Sequence, residues 1–201
     1  MKKVINSTVI IFALLTIFET GCKKGEDDPF FSLRSRRARV VGDWKLISGT
    51  ETDKSYDNSS ATTYTNTNTY DGSTEAQSET ISNSSGSFTT TNSISYTSTY
   101  KFEKDGTYTS TTVEDGVTIT VEGTWNFGAG VGEKKNKSEL VLTATKTVND
   151  GNSYTYTGNA ATEVYYIKEL RNDKMVLVTD IKYTDSSGDT GEGISEMTYG
   201  Q

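Results

Sequence analysis

The chain has 201 residues and a formal net charge of −7, and this length favours one domain with short appendages. The acidic balance excludes nucleic acid as a partner, because a phosphate-binding surface needs a basic face. The absence of histidine excludes imidazole bases and histidine metal sites, and the single cysteine excludes disulfides within the chain and thiolate metal clusters.

Residues 1–21 have the pattern of an export signal. Two lysines form a positive start, and the apolar run at 4–18 is shorter than the roughly 20 residues that a membrane-spanning helix needs. The tripeptide TGC that ends at Cys22 resembles a bacterial lipoprotein cleavage site, with Glu19 where that family usually has leucine. The resemblance implies that residues 1–21 are removed and that Cys22 receives several acyl chains, which hold a protein at a membrane more firmly than one chain does.

Residues 22–39 are predicted to form a tether and a short helical plug. The run KKGEDD after Cys22 resembles the surface-export signal of Bacteroidetes lipoproteins, which implies an outer-membrane location with the domain exposed at the cell surface. Asp28 and Pro29 predict a helix start, with Asp28 as the N-cap and Pro29 as the first helical residue. We expect the four arginines at 34–39 to stack on aromatic rings or to pair with carboxylates.

The first strand is predicted to begin with Gly42-Asp43-Trp44. Val40, Gly42, Trp44 and Leu46 face one way and Asp43 and Lys45 face the other, as in a strand with one buried face, although Val41 and Ile47 interrupt the alternation. A helical turn followed by the G-D-W of residues 42–44 resembles the entry of a lipocalin, where the tryptophan packs across the closed end of the barrel. With the lipoprotein signal, the chain resembles the lipocalin-like domain lipoproteins of Bacteroidetes over about residues 28–48 and 96–183.

Residues 50–95 have an unusual composition, since about half of them are serine or threonine. Such a composition is compatible with disorder. Even spacing of aromatic residues, such as Tyr64 with Tyr70 and Tyr96 with Tyr100, favours long polar strands or a protruding hairpin instead. The predicted domains are therefore the signal at 1–21, the tether and plug at 22–39, and a barrel at 40–201 with a polar insertion at about 50–95.

From residue 96 onward, strand patterns separated by short turns follow one another. The predicted strands are 96–103, 107–113, 117–127, 138–147, 162–170, 175–184 and 194–199. Nearest-neighbour hairpins of this kind favour an antiparallel up-and-down meander over the immunoglobulin-like sandwich, the alternative fold. We therefore predict an all-β chain that closes into a lipocalin-like barrel of about eight to ten strands, with the short helical plug at its N-terminal side.

No motif in the sequence predicts catalysis. The glycine-rich run 128–132 is followed by a charged loop and a strand, which a phosphate-binding loop is not. The acidic run 185–192 lacks the ligand order of the calcium-binding helix-loop-helix motif. We expect a non-enzymatic protein with no catalytic residues, no metal and no cofactor.

The candidate ligand-binding residues are large apolar side chains predicted to face the barrel interior. An ordinary hydrophobic core is the alternative explanation for the same pattern. The candidates are Trp44, Tyr100, Phe102, Trp125, Phe127, Leu140 and Leu142.

Two functions follow from this reading of the chain. The first is a membrane-anchored barrel that binds or carries a small hydrophobic molecule, such as a lipid fragment. The alternative is a cell-surface interaction or adhesion module that contacts glycans or proteins through the polar 50–95 region. A cavity large enough for a ligand would favour the first function, and a barrel filled by its own aromatic residues would favour the second.

Overall fold

A computed structural model describes residues 27–29, 33–129, 138–156 and 161–201. The predicted signal at 1–21, the lipidation site Cys22 and the tether as far as residue 26 lie outside these described residues, as does most of the 128–132 run. Among the helices that are described, none has the length and apolar character to cross a membrane.

The described chain is almost entirely β-strand, as predicted. Its single described helix, α1, spans Arg36–Val40. The strands are β1 Gly42–Asp57, β2 Thr62–Tyr70, β3 Thr74–Asn83, β4 Gly86–Phe102, β5 Thr107–Glu114, β6 Val117–Phe127, β7 Glu139–Asn149, β8 Asn152–Thr155, β9 Thr162–Leu170, β10 Lys174–Thr184 and β11 Thr190–Gly200. The predicted strands from residue 96 onward are all present.

The strands form one antiparallel sheet that closes on itself. Each strand from β1 to β7 pairs with the next in sequence, and the sheet continues through β9, β10 and β11 back to β1. The pairing of β6 with β7 completes a ring of ten strands, while β8 only extends the upper end of β7. The predicted meander and barrel are confirmed, and closure removes the unpaired edges that an open sheet would expose.

The two ends of the barrel differ in strand number. At the end next to α1, called the floor, Gly42–Lys45 of β1 pairs directly with the end of β4, from Phe102 to Thr99. Farther along, β1 pairs with β2 and β4 pairs with β3, so the β2–β3 hairpin is inserted between them. The ring therefore has eight strands at the floor and ten toward the opposite end, called the mouth. The polar 50–95 region forms these mouth strands.

The floor is filled by a hydrophobic core. Period-two burial places Trp44 and Leu46 inside while Asp43 and Lys45 face solvent, as the alternation predicts. The Trp44 indole N–H donates to the carbonyl oxygen of Val40 in α1 at 2.8 Å, which seats the helix against the barrel end. The largest fully buried side chains are Trp44, Trp125, Phe102, Leu140, Leu142, Ile167, Leu170, Met175, Leu177 and Val40.

The helix start differs from its prediction. The residues at Asp28 and Pro29 are not helical, and α1 begins at Arg36 with Ser35 as its N-cap. The carboxylate of Asp28 instead forms a buried ion pair with Arg36 and accepts the backbone N–H of Leu170 at 2.7 Å. A buried arginine competes for this carboxylate more strongly than a helix N-terminus does, because an unpaired buried charge is costly.

The arginines of the plug contact the barrel in the two ways predicted. Arg36 pairs with Asp28, and the Arg37 guanidinium lies over the Trp125 ring, 4.6 Å from its centre. Arg39 donates to the carbonyl oxygen of Leu170. These contacts fix α1 across the floor and leave the mouth as the open end.

Candidate functional site

A cavity of about 1020 Å³ lies above the floor core, at the level where the β2–β3 hairpin enters the sheet. Its walls combine aromatic, hydroxyl and carboxylate side chains. The inward-facing lining residues are Glu51, Tyr70, Tyr96, Ser98, Tyr100, Thr112, Thr162, Glu163, Tyr165, Thr179, Ile181, Ser195, Met197 and Tyr199. This cavity is the candidate functional site.

A β-bulge decides which residues of β1 line this cavity. The register between β1 and β11 shifts between Leu46 and Ser48, which leaves Ile47 outside the regular pairing. Before the bulge even-numbered residues face inward, and after it odd-numbered residues do, because a bulge adds one residue to a single strand. Glu51 consequently faces the interior, opposite Ser195.

Five inward tyrosines cross the barrel between the core and the cavity, and we call them the tyrosine layer: Tyr70, Tyr96, Tyr100, Tyr165 and Tyr199. The rings of Tyr70 and Tyr96 lie 4.8 Å apart between centres, and those of Tyr100 and Tyr199 lie 5.3 Å apart. These distances are those of direct ring packing. The layer therefore contributes two packed pairs of rings, and Tyr165 beside them, to the wall of the cavity.

Burial raises the pKa of every phenol in the tyrosine layer above its ordinary value. Nearby charges of Glu51 and Glu75 raise the pKa of Tyr70 further, and Glu163 acts in the same direction on Tyr165. All five phenols thus keep their protons at neutral pH. Each one can donate a hydrogen bond into or beneath the cavity.

Carboxylates accept hydrogen bonds from hydroxyl groups of the tyrosine layer at two places. The Tyr70 hydroxyl lies 3.2 Å from the Glu51 carboxylate and 3.3 Å from that of Glu75, whose residue is 4% exposed. The Tyr165 hydroxyl donates to Glu163 at 2.6 Å. Since a phenol has one proton, Tyr70 cannot donate fully to both of its carboxylates.

The described charged residues that line the cavity are all acidic. On the outer surface, lysines pair with glutamates, as in Lys168 with Glu196 at 2.9 Å and Lys146 with Glu122 at 3.3 Å. No lysine or arginine within the described ranges lines the cavity. The inner carboxylates Glu51 and Glu163 thus have tyrosine hydroxyls, and no described cation, as neighbours in the cavity wall.

The cavity opens sideways between β9 and β10. These strands pair only as far as Tyr166 with Val178, and beyond that point β10 has no β9 partner among the described residues. Val164 and Asp180, which face outward, also line the cavity, so it reaches the surface through this gap. Ile181 is 61% exposed beside it.

The seven ligand-binding candidates from the sequence all lie on the inner face of the barrel. All seven pack in the floor core or against it, and Tyr100 is the one among them that also lines the cavity. Their role in ligand binding stays a prediction. The sequence did not identify the other cavity residues. The even spacing of Tyr96 with Tyr100, and of Tyr64 with Tyr70, indicates only that the two members of each pair lie on the same face of a strand. No sequence signal marks the bulge that turns Glu51 inward.

The acidic run at 185–192 forms a turn. The Asp185 carboxylate accepts the backbone N–H groups of Ser187 and Asp189, at 2.8 and 3.0 Å. Within the part of the chain that the structure describes, no three acidic, cysteine or histidine side chains gather as a metal site would require.

Comparison of the chain with protein-family models and with curated proteins finds no match. The closed antiparallel barrel is consistent with a lipocalin-like fold. Function must therefore be argued from the cavity and its lining.

Proposed function

We propose that the protein is a non-enzymatic binding barrel, anchored to the outer membrane through lipidated Cys22, that holds a small amphipathic molecule in its tyrosine-lined cavity. The observation that carries the proposal is the cavity of about 1020 Å³ above a filled floor. Sites for small molecules occupy roughly 300–1000 Å³, so the space suits a ligand with a substantial apolar body. A barrel filled to the mouth by aromatic side chains would have favoured an interaction module instead.

The lining supports binding rather than catalysis. The phenols stay protonated at neutral pH, which makes them hydrogen-bond donors and poor bases or nucleophiles. The Glu51 and Glu163 carboxylates each contact a tyrosine hydroxyl. A small-molecule binding site needs apolar surfaces and a few polar groups held in fixed positions, and these side chains provide both.

The start of the described chain supports an orientation at the membrane. The Asp27 N–H donates to the carbonyl oxygen of Lys168 at 2.9 Å, which places this residue at the floor. Cys22 precedes it by only five residues, and an extended chain covers at most about 3.6 Å per residue, or roughly 18 Å in all. A lipid on Cys22 would keep the floor toward the membrane and the mouth and lateral gap free.

The test is native mass spectrometry and solvent extraction of protein purified from its own host, with Cys22→Ser to remove the lipid. We expect a small molecule to co-purify. Ser195→Phe, which fills the cavity from β11, should lose that molecule, whereas Ile194→Phe on the outer face of the same strand should retain it. Repeated failure to find any bound molecule in the Cys22→Ser protein would contradict the proposal.

One observation favours the alternative function, a cell-surface interaction or adhesion module. Phe88 is 66% exposed near the tip of the β3–β4 hairpin, in a region that is otherwise polar. An exposed aromatic at a projecting tip is a common contact residue. If this function is correct, cells displaying Phe88→Ser should adhere less to glycan- or protein-coated surfaces than cells displaying the wild type. Equal adhesion would exclude a role for this tip.

A further inference from the structure

We infer that the cavity selects an amphiphilic organic amine, with its ammonium group at Glu51 and its apolar body directed toward the gap between β9 and β10. The inference rests on the proposed ligand-binding function and adds the charge and placement of the ligand.

The head-group position is set by Glu51 and the tyrosines next to it. Glu51 lines the cavity, and its carboxylate shares the single proton of Tyr70 with Glu75, which is 4% exposed. Two carboxylates thus lie beside one donor, with Glu75 almost fully buried and Glu51 half-buried at the cavity wall. Burying charge without a partner is costly, and a cation placed at Glu51 would reduce that cost for both carboxylates.

The aromatic surroundings of Glu51 suit the same group. The Tyr70 and Tyr96 rings lie 4.8 Å apart between centres with 52° between their planes, and both residues line the cavity together with Glu51. An ammonium is attracted to the face of an aromatic ring, and more so where water is excluded. Carboxylate and rings together favour an amine over a neutral group of the same size.

No protein cation competes for this position. None of the lysines or arginines in the described ranges lines the cavity. Four strand lysines pair instead with outer glutamates, namely Lys101, Lys146, Lys168 and Lys182. The negative charge of the inner wall is therefore available to a ligand. The same charge would repel a fatty acid, although a fatty acid has a similar apolar body.

The apolar body has a path from Glu51 to the surface. Met197 and Val178 line the cavity on β11 and β10, and Ile181 and Val164 lie exposed at the lateral gap. Glu163, held by Tyr165 on the β9 side of the gap, adds negative charge along the entry route. A positively charged amphiphile would thus be favoured both on entry and at its final position.

A neutral sugar is the closest competing class, because sugars also pack on aromatic rings and donate to carboxylates. Its hydroxyls would satisfy Glu51 as an acceptor but would leave the charge of Glu51 and Glu75 uncompensated. The distinction between charge and hydrogen bonding is therefore what the experiment must measure.

The test compares three probes with one tail, namely octylammonium, octyl glucoside and octanoate, by isothermal titration at neutral pH and low salt below their micelle concentrations. We expect octylammonium to bind at least about tenfold more tightly than octyl glucoside, and octanoate to bind most weakly. Glu51→Gln should reduce the preference for octylammonium to less than about threefold. Glu122→Gln, which removes an outer carboxylate, should leave the preference unchanged.

Each outcome decides the inference. Equal binding of octylammonium and octyl glucoside to the wild type would overturn it and would leave the proposed binding function standing. Binding of none of the three probes would overturn both. A preference for octylammonium that survives in Glu51→Gln would overturn the assignment of Glu51 as the head-group site. The wild-type comparison needs no variant, so poor folding of Glu51→Gln cannot obscure the result.

Discussion

Replacing Asp28 with alanine should destabilise the barrel by about 3–5 kcal/mol, because it leaves Arg36 buried without its charge partner. The two side chains are 0% and 4% exposed, and the pair joins the segment before α1 to the helix itself. Burial lowers the pKa of Arg36, and the charge of Asp28 acts against that shift. The carboxylate of Asp28 therefore offsets part of the cost of burying the Arg36 guanidinium, which stays charged.

The same substitution also removes the acceptor for the Leu170 N–H, which Asp28 holds at 2.7 Å. A buried donor left without a partner costs about 1–3 kcal/mol, and we include this cost in the range above because the two effects overlap. Asp28→Asn keeps an oxygen for Leu170 and removes only the charge, so its loss should be smaller than that of Asp28→Ala. Adding Arg36→Met to Asp28→Ala removes the unpaired cation and should restore part of the lost stability.

The assay is urea denaturation followed by tryptophan fluorescence, with free energies of unfolding obtained by linear extrapolation. The matched control is the exposed pair of Glu122 and Lys146, in which Glu122→Ala should change the free energy of unfolding by less than about 1 kcal/mol. If Asp28→Ala cost no more than this control, the argument that the pair holds the plug to the floor would be refuted.

Three further predictions concern the barrel and its location. Because burial raises the pKa of Tyr70, Tyr108 and Tyr199, with that of Tyr108 at about 12, the folded state keeps these protons to higher pH than the unfolded chain does. The free energy of unfolding should therefore fall as pH rises above about 10, by roughly 1.4 kcal/mol per pH unit for each of these three tyrosines. Urea midpoints that do not change from pH 8 to 11.5 would contradict this. Gly123→Ala should lower the free energy of unfolding by about 1–3 kcal/mol in the same assay, because a Cβ at this position would overlap the carbonyl oxygen of Thr143. An unchanged urea midpoint would contradict this, because it would show that β7 can shift to accommodate the methyl group at little cost. Protease treatment of intact host cells should digest the protein if it is exposed at the surface, and survival alongside digested surface controls would place it inside the cell envelope.

The fold was predictable where one face of a strand is buried. Alternation of Trp44 and Leu46 with charged residues identified β1 and its inner face, and the short interval between the strands predicted at 107–113 and 117–127 coincides with the turn at Asp115-Gly116. In these segments hydrophobic pattern and turn chemistry agree on one register. The prediction of the helix start was wrong because it considered Asp28 only as a local N-cap. In the folded protein its carboxylate pairs with Arg36, a contact that depends on tertiary structure.

The cavity was not predictable in the same way. The bulge after Leu46 changes the inward-facing residues of β1 from even-numbered to odd-numbered ones, and no local sequence pattern predicts this bulge. The tyrosine layer includes Tyr70 on β2 and Tyr199 on β11, two strands that are far apart in sequence. They come close in space only because the sheet closes into a barrel. Residues 50–95 are polar on both faces, so composition alone could not decide between strands and disorder.

The change from eight strands to ten explains why this barrel has both a solid core and a cavity. The interior of an eight-stranded barrel is just wide enough for side chains to fill, and the diameter grows with strand number. At the floor β1 pairs directly with β4, and large side chains such as Trp44 and Phe102 fill that space. Once the β2–β3 hairpin separates these two strands, the wall widens at the level of Glu51 and Tyr70. The Ser/Thr-rich segment thus contributes to the candidate site less through its own chemistry than by making the barrel too wide there for its side chains to fill.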